Sequence, residues 1–147
     1  MKALSQKKRL EFYSADVSSE IEIPFFKGGV KAGFPSPAED FDGSKIDLNK
    51  ELITNSASTF FAKVNGKSME GEGLFDGDIL VVDKSIETAN GKIAVCFLDG
   101  EFTVKRIKKE GENVWLIPAN KDFSPIRVTP DNNFVVWGVV TFVIKRV

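Results

Sequence analysis

The sequence predicts a mostly β domain, a small curled barrel or sandwich-like unit behind a flexible N-terminal arm. Three observations lead there. From about residue 58 onward the chain consists of short runs rich in Val, Ile, Phe and Trp, separated by turn residues. One of those turns, Asp99-Gly100 in FLDGEF, has the signature of a two-residue type I′ hairpin. By contrast, residues 1–45 are polar, rich in Gly and Pro, and without sustained periodicity.

Taken in order, residues 1–45 read as an extended arm with a few apolar anchors such as Phe25, Phe26 and Phe34. Its densest stretch is PFFKGGVKAGFPSPAEDFDG, where Gly28, Gly29, Gly33, Pro35 and Pro37 oppose both helix and strand. Residues 46–147 then form the folded domain. IDLNKELI (46–53) can make a helical turn or two with Asp47 as cap. The strand runs are STFFAKV, DILVVD, KIAVCFL, EFTVKRI, NVWLI, PIRV and FVVWGVVTFVIKRV. Gly138, inside the last of them, predicts a bulge or sharp bend.

Composition excludes several classes of function. With 42% hydrophobic residues and 13 Phe the chain can bury a real core. Its 20 basic and 21 acidic residues nearly cancel, so no global field holds it on DNA or an anionic membrane. The one basic cluster, Lys2, Lys7, Lys8 and Arg9, reads as a solubilising tail. Cys96 lies within the apolar run IAVCFL and is expected to be a buried, inert thiol. There is no histidine, which removes Ser-His-Asp and Cys-His catalysis and zinc sites of the usual composition. No metal or cofactor is expected. The N-terminus carries no signal-peptide pattern, and FVVWGVVTFVI is shorter than the roughly 20 residues of a membrane helix, so a cytoplasmic protein is expected.

Without histidine, a serine nucleophile needs another base, and lysine can serve when its amine is neutral. An unperturbed lysine, with a pKa of about 10.4, is almost wholly protonated at neutral pH. Burial in apolar surroundings lowers that value by up to about 3–5 units because it penalises the charged form. A catalytic lysine therefore belongs on a strand among apolar neighbours. Lys105 in EFTVKRI stands on such a strand, sharing a face with Thr103 and Ile107 while Phe102 and Val104 share the other. Pattern alone also permits Lys105 on the solvated side of an amphipathic hairpin, since strand lysines are usually exposed. Likewise Ser68, in the Gly-containing stretch VNGKSMEGEG, is by itself ordinary turn chemistry.

Their order along the chain is more specific. Ser68-Met69, then Gly77-Asp78 opening DGDILVVD, then Lys105 in FTVKRI resembles the serine–lysine peptidases that include LexA-type repressors, UmuD-type mutagenesis proteins and type I signal peptidases. Within that group the chain is most similar to the UmuD-type SOS mutagenesis proteins over about residues 30–147. AGFPSPAEDF, KIDLNKELI, STFFAKVNGKSM, DGDILVVD, DGEFTVKRI, LIPAN followed by FSPI, and WGVVTFVIK carry the likeness. The first 25 residues or so contribute nothing to it.

The resemblance implies Ser68 as nucleophile, Lys105 as general base, and the backbone N–H groups of Lys67 and Ser68 as oxyanion hole. Met69 would pack beneath the bend, while Gly77 and Asp78 read as a structural strand-opening turn. The implied substrate is the chain itself, cut at Ala32–Gly33, with Val30 as the aliphatic recognition residue before the bond. Chain extending by about 3.3 Å per residue easily carries Ala32 to Ser68, and tethering supplies a high effective concentration. The resemblance further implies activation by a RecA–single-stranded DNA filament. The trimmed product, residues 33–147, would serve as a homodimeric accessory subunit of an error-prone Y-family translesion polymerase. Two other readings stay open at this point. One is a β-rich interaction module with an idle Ser-Lys pair. The other is a LexA-like repressor, disfavoured because Pro24 and paired glycines leave residues 1–32 no room for a helix-turn-helix.

Overall fold

The computed structural model describes residues 10–20, 22–24, 45–88 and 90–147. The chain divides into two compact units, one made of Met1–Ala15 with Asn55–Val147 and the other of Asp16–Thr54. In the smaller unit, β2 (Glu22–Pro24) pairs antiparallel with β3 (Lys45–Asp47). A single helical turn, α1 (Leu48–Leu52), follows directly. As expected from the sequence, Asp47 caps it: the carboxylate accepts from the Asn49 N–H at 3.0 Å, satisfying one donor that the helix leaves unpaired.

The larger unit is one antiparallel sheet of eight strands in the order β1-β4-β5-β10-β6-β7-β8-β9. These are β1 (Leu10–Ser14), β4 (Thr59–Val64), β5 (Ile79–Asp83), β6 (Ile93–Leu98), β7 (Glu101–Glu110), β8 (Asn113–Ile117), β9 (Ile126–Val128) and β10 (Phe134–Ile144). The mostly β expectation holds, and each strand run from residue 58 onward forms a strand. The sheet is curled but unclosed: among the described residues no ladder joins β1 to β9. The sequence pattern did not single out β1, whose LEFYS lies in a polar stretch and gains its strand character by pairing with β4.

Local chemistry sets the register. Leu98 pairs with Glu101 across Asp99-Gly100, whose φ values of 49° and 90° are those a type I′ turn demands and which a glycine adopts without strain. The curl comes largely from β10, whose register slips between Val136 and Gly138 against β6 and between Val140 and Phe142 against β5. Curling lets strand β6 bury both faces. Val95 joins a core with Ala62, Met69, Leu74, Leu80, Val82 and Val104. Ala94 and Cys96 join a second with Ile107 and Leu116.

Gly138 sits where β10 crosses closest to β5. A Cβ there would stand 2.7 Å from the Val82 side chain and 3.1 Å from the Asp83 carbonyl oxygen. Gly138→Ala should therefore destabilise the fold by about 1–3 kcal/mol, the usual cost of overpacking, seen as a lower urea midpoint. An unchanged midpoint would show that β10 can slide away from β5.

Candidate active site

Ser68 lies just beyond β4, on the bend that leads into a single turn of 3-10 helix at Glu70–Glu72. The bend exists because Met69 turns inward: it is buried in the first core, and its carbonyl accepts the N–H groups of Glu72 (3.0 Å) and Leu74 (3.2 Å). Anchoring Met69 leaves Ser68 half-buried at the wall of a cleft of about 720 Å³, whose lining includes Leu10, Val64, Lys67, Thr103 and Phe123.

Lys105 reaches the same point from β7. It is only 5% exposed, so the solvated-hairpin alternative is overturned. The reason is tertiary: Ala94 stands opposite it in the ladder and Ile107 beside it in the second core, so this face of β7 is covered. The amine Nζ lies 3.0 Å from Ser68 Oγ, 2.6 Å from Thr103 Oγ1 and 3.1 Å from the Val104 carbonyl oxygen. Serine and lysine, far apart in sequence, are thus in hydrogen-bond contact. Thr103, on the same strand face two residues earlier, orients the amine, and the sequence pattern gave it no role.

A second set of contacts fixes the serine bend from outside, and it also escaped the sequence reading. The Ala119 N–H donates to the Ser68 carbonyl at 2.8 Å, the Gly71 N–H donates to the Ala119 carbonyl at 2.8 Å, and Asn120 Nδ2 donates to the Lys67 carbonyl at 2.9 Å. Gly71 is required here, because a Cβ would fall 2.1 Å from the Ala119 oxygen. The LIPAN motif is the sequence signal that holds Ala119 and Asn120, but only the fold brings it against the bend. Among the described residues, neither the Lys67 nor the Ser68 N–H is donated to a partner.

Arg106, next to Lys105, ties the two sides together. Its Nε donates to Glu72 Oε1 at 2.8 Å, its Nη2 to Oε2 at 2.5 Å, and its Nη1 to the Gly91 carbonyl. The bidentate pair holds the Glu72 carboxyl below its ordinary value of 4.5 and the Arg106 guanidinium above its own. Asp78 has a structural role, as expected. It is buried, accepts from the Phe75 N–H at 2.9 Å and from Lys145 Nζ, and so closes the turn before β5. Cys96 is fully buried, its thiol pushed up to about 12 by desolvation, which fits the inert role expected of it.

Val30, Ala32 and Gly33 lie outside the described residues. No cluster of acidic or sulfur side chains suited to a metal occurs among the described residues, nor any helix long and apolar enough to cross a membrane.

The fold is thus a mostly β domain that buries a lysine amine against a serine on a tight bend. Residues 24–141 match the Peptidase S24-like family, and the chain belongs to it. It is 40% identical over 131 residues to Protein MucA of Salmonella typhimurium, an alignment covering 88% of this chain and 89% of that one. Protein ImpA of the same organism is 38% identical over 129 residues, covering 84% and 83%. LexA repressor 1 of Pseudomonas syringae pv. tomato is 36% identical over 158 aligned positions, covering 99% of this chain and 77% of the repressor. The family that the motifs resembled is therefore the family found.

The Glu72–Arg106 pair gives a pH test with a definite sign. A carboxyl whose folded pKa is depressed stabilises the fold above its unfolded value, and that contribution fades as pH falls through the folded one. Glu72→Gln should lower the thermal midpoint slightly at neutral pH. The difference should shrink as pH falls below 4.5 and vanish once pH is below the depressed folded value, where Glu72 is neutral in both states. A difference that persists in acid would assign the effect to packing rather than charge.

Proposed function

We propose that the protein is a self-cleaving serine peptidase of the SOS DNA-damage response, which cuts its own Ala32–Gly33 bond with Ser68 and Lys105. The observation that carries this is the 3.0 Å contact between Ser68 Oγ and a buried Lys105 amine. Loss of water penalises an ammonium and spares a neutral amine, and a neutral amine is what a general base must be. Membership of the Peptidase S24-like family supports the same chemistry.

In the proposed steps, Lys105 Nζ takes the Ser68 Oγ proton as the oxygen attacks the Ala32 carbonyl carbon, while Thr103 holds the amine in line. The Lys67 and Ser68 N–H groups are available to receive the oxyanion. Collapse of the tetrahedral intermediate breaks the C–N bond, and the Lys105 ammonium returns its proton to the departing Gly33 amine. Water, activated by the same lysine, then hydrolyses the ester on Ser68. Val30 would sit in the cleft as the aliphatic side chain recognised ahead of the bond. In this reading Ser68 would supply both the nucleophile and one oxyanion donor, its own N–H.

Similarity to the MucA and ImpA proteins supports placing this cleavage in SOS mutagenesis. There, a RecA–single-stranded DNA filament would stimulate the cut. The trimmed form, residues 33–147, would act as a homodimeric accessory subunit of an error-prone Y-family polymerase.

Incubation of the purified protein from neutral to alkaline pH, followed by intact mass measurement, tests the chemistry directly. A fragment beginning at Gly33 should accumulate faster as pH rises, because more of the lysine is neutral. It should be absent in Ser68→Ala and Lys105→Ala. If the wild-type chain stays whole at every pH and also with RecA filament added, the Ser-Lys pair is idle and the β domain is an interaction module.

A further inference from the structure

Strand β1 is one of the two edge strands of the large sheet, and it lies on the amino-terminal side of the proposed cleavage bond. Its ladder with β4 runs from Leu10↔Val64 through Glu11↔Lys63, Phe12↔Ala62 and Tyr13↔Phe61 to Ser14↔Phe60. Alternation puts Leu10 and Phe12 inward and Glu11 and Tyr13 outward. Leu10 is buried in the first core. Phe12 lies over the small Ala62, with its ring 4.7 Å from Phe102, 5.6 Å from Phe60 and 5.7 Å from Trp137. Tyr13 is half exposed and donates to Glu11 at 2.7 Å.

A strand of five residues holding two apolar anchors is a weak independent unit, and the other ladder that crosses the proposed cut, β2 with β3, pairs only three residues. While the chain is intact, its tether keeps it at high local concentration; once the chain is cut, rebinding becomes bimolecular and the advantage disappears. Departure of β1 would leave β4 as a bare sheet edge. Val64 spends its N–H on the Asp78 carbonyl and its carbonyl on the Gly77 N–H, on the β5 side. By ladder alternation, the backbone groups of Phe61 and Lys63 are then the ones turned toward β1. Beside them would open an apolar vacancy between Phe60, Phe102 and Trp137, with Lys63 outside.

We propose that cleavage converts the β4 edge into a docking site for an extended segment of a partner protein, bound as an added antiparallel strand. The inference rests on the cleavage proposed above. The resident strand defines the ligand: an aliphatic residue, then an acidic one facing Lys63, then an aromatic one filling the Phe12 vacancy, as in Leu10-Glu11-Phe12. A second trimmed copy cannot supply it. That copy has lost its own β1, and the inward residues of its β4, namely Ala62 and Val64, are already buried in its own core.

The test separates this inference from the proposed self-cleavage. An unrelated site-specific protease sequence replaces residues 29–34 in the Lys105→Ala chain, so the arm is cut without the chain's own chemistry. A labelled peptide of residues 8–16 is then offered to cut and uncut protein. The cut chain should release its N-terminal fragment and take up the peptide, while the uncut chain takes up at least tenfold less. The peptide with Phe12→Ala should bind about tenfold or more weakly, since it loses its aromatic contacts. Hydrogen exchange of the Phe61 and Lys63 amides should quicken on fragment release and slow again with peptide. Three results would overturn the inference: a fragment that excess peptide cannot displace, a vacated edge that ignores the peptide or pairs with another copy instead, or uptake indifferent to Phe12. Failure of the wild-type chain to cut itself, with peptide uptake intact, would instead strike only the cleavage reading.

Discussion

The amine of Lys105, withdrawn from water on β7 and bracketed by Ser68 Oγ, Thr103 Oγ1 and the Val104 carbonyl, constrains the rest of the molecule. Removing a cationic group from water costs several kcal/mol even after relaxation. Such a group persists only where its neighbours supply oxygens and where enough apolar burial offsets the loss. Both conditions are met by curling the sheet. Ala94 and Ile107 cover the lysine stem from one core, while Met69, in the other, holds the serine bend against the amine.

The contact between Ser68 and Lys105 joins a bend to a strand, and a bend lacks the ladder that fixes a strand. The structure answers with restraints on both flanks of the serine. Ala119 and Asn120 grip the carbonyls of Ser68 and Lys67, and Gly71 lets the chain pass close enough for that grip. Farther along, Glu72 is fastened to Arg106, the residue after the lysine. The restraints on the serine side take up carbonyl oxygens, and among the described residues the Lys67 and Ser68 N–H groups have no partner. The proposed oxyanion hole would need that division of labour.

The outer edge of the same sheet begins at the wall of the same cleft, since Leu10 of β1 belongs to both. Pairing along β4 and access to Ser68 are therefore neighbouring events. The strand that completes this edge would belong to the portion severed by the proposed cleavage, so chemistry at the serine and the completeness of this edge would be linked through one polypeptide.

Much of this was legible in the sequence. Short apolar runs between turn residues marked every strand from β4 to β10, Asp99-Gly100 gave a hairpin, Asp47 a cap, and Gly138 a bulge or bend, because each is a local property of neighbouring residues. The order of Ser68-Met69, Gly77-Asp78 and Lys105 pointed to the family, and the absence of histidine made lysine the candidate base. What the sequence left undecided was whether Lys105 is wet or dry, since a strand lysine fits both faces equally well. Burial depends on which other strands cover that face, and only the curled sheet settles it. Thr103, Ala119, Asn120 and Arg106 escaped notice for the same reason, their partners being distant in sequence. β1 was hidden too, because an edge strand of mixed polarity takes its conformation from the strand it joins rather than from its own composition.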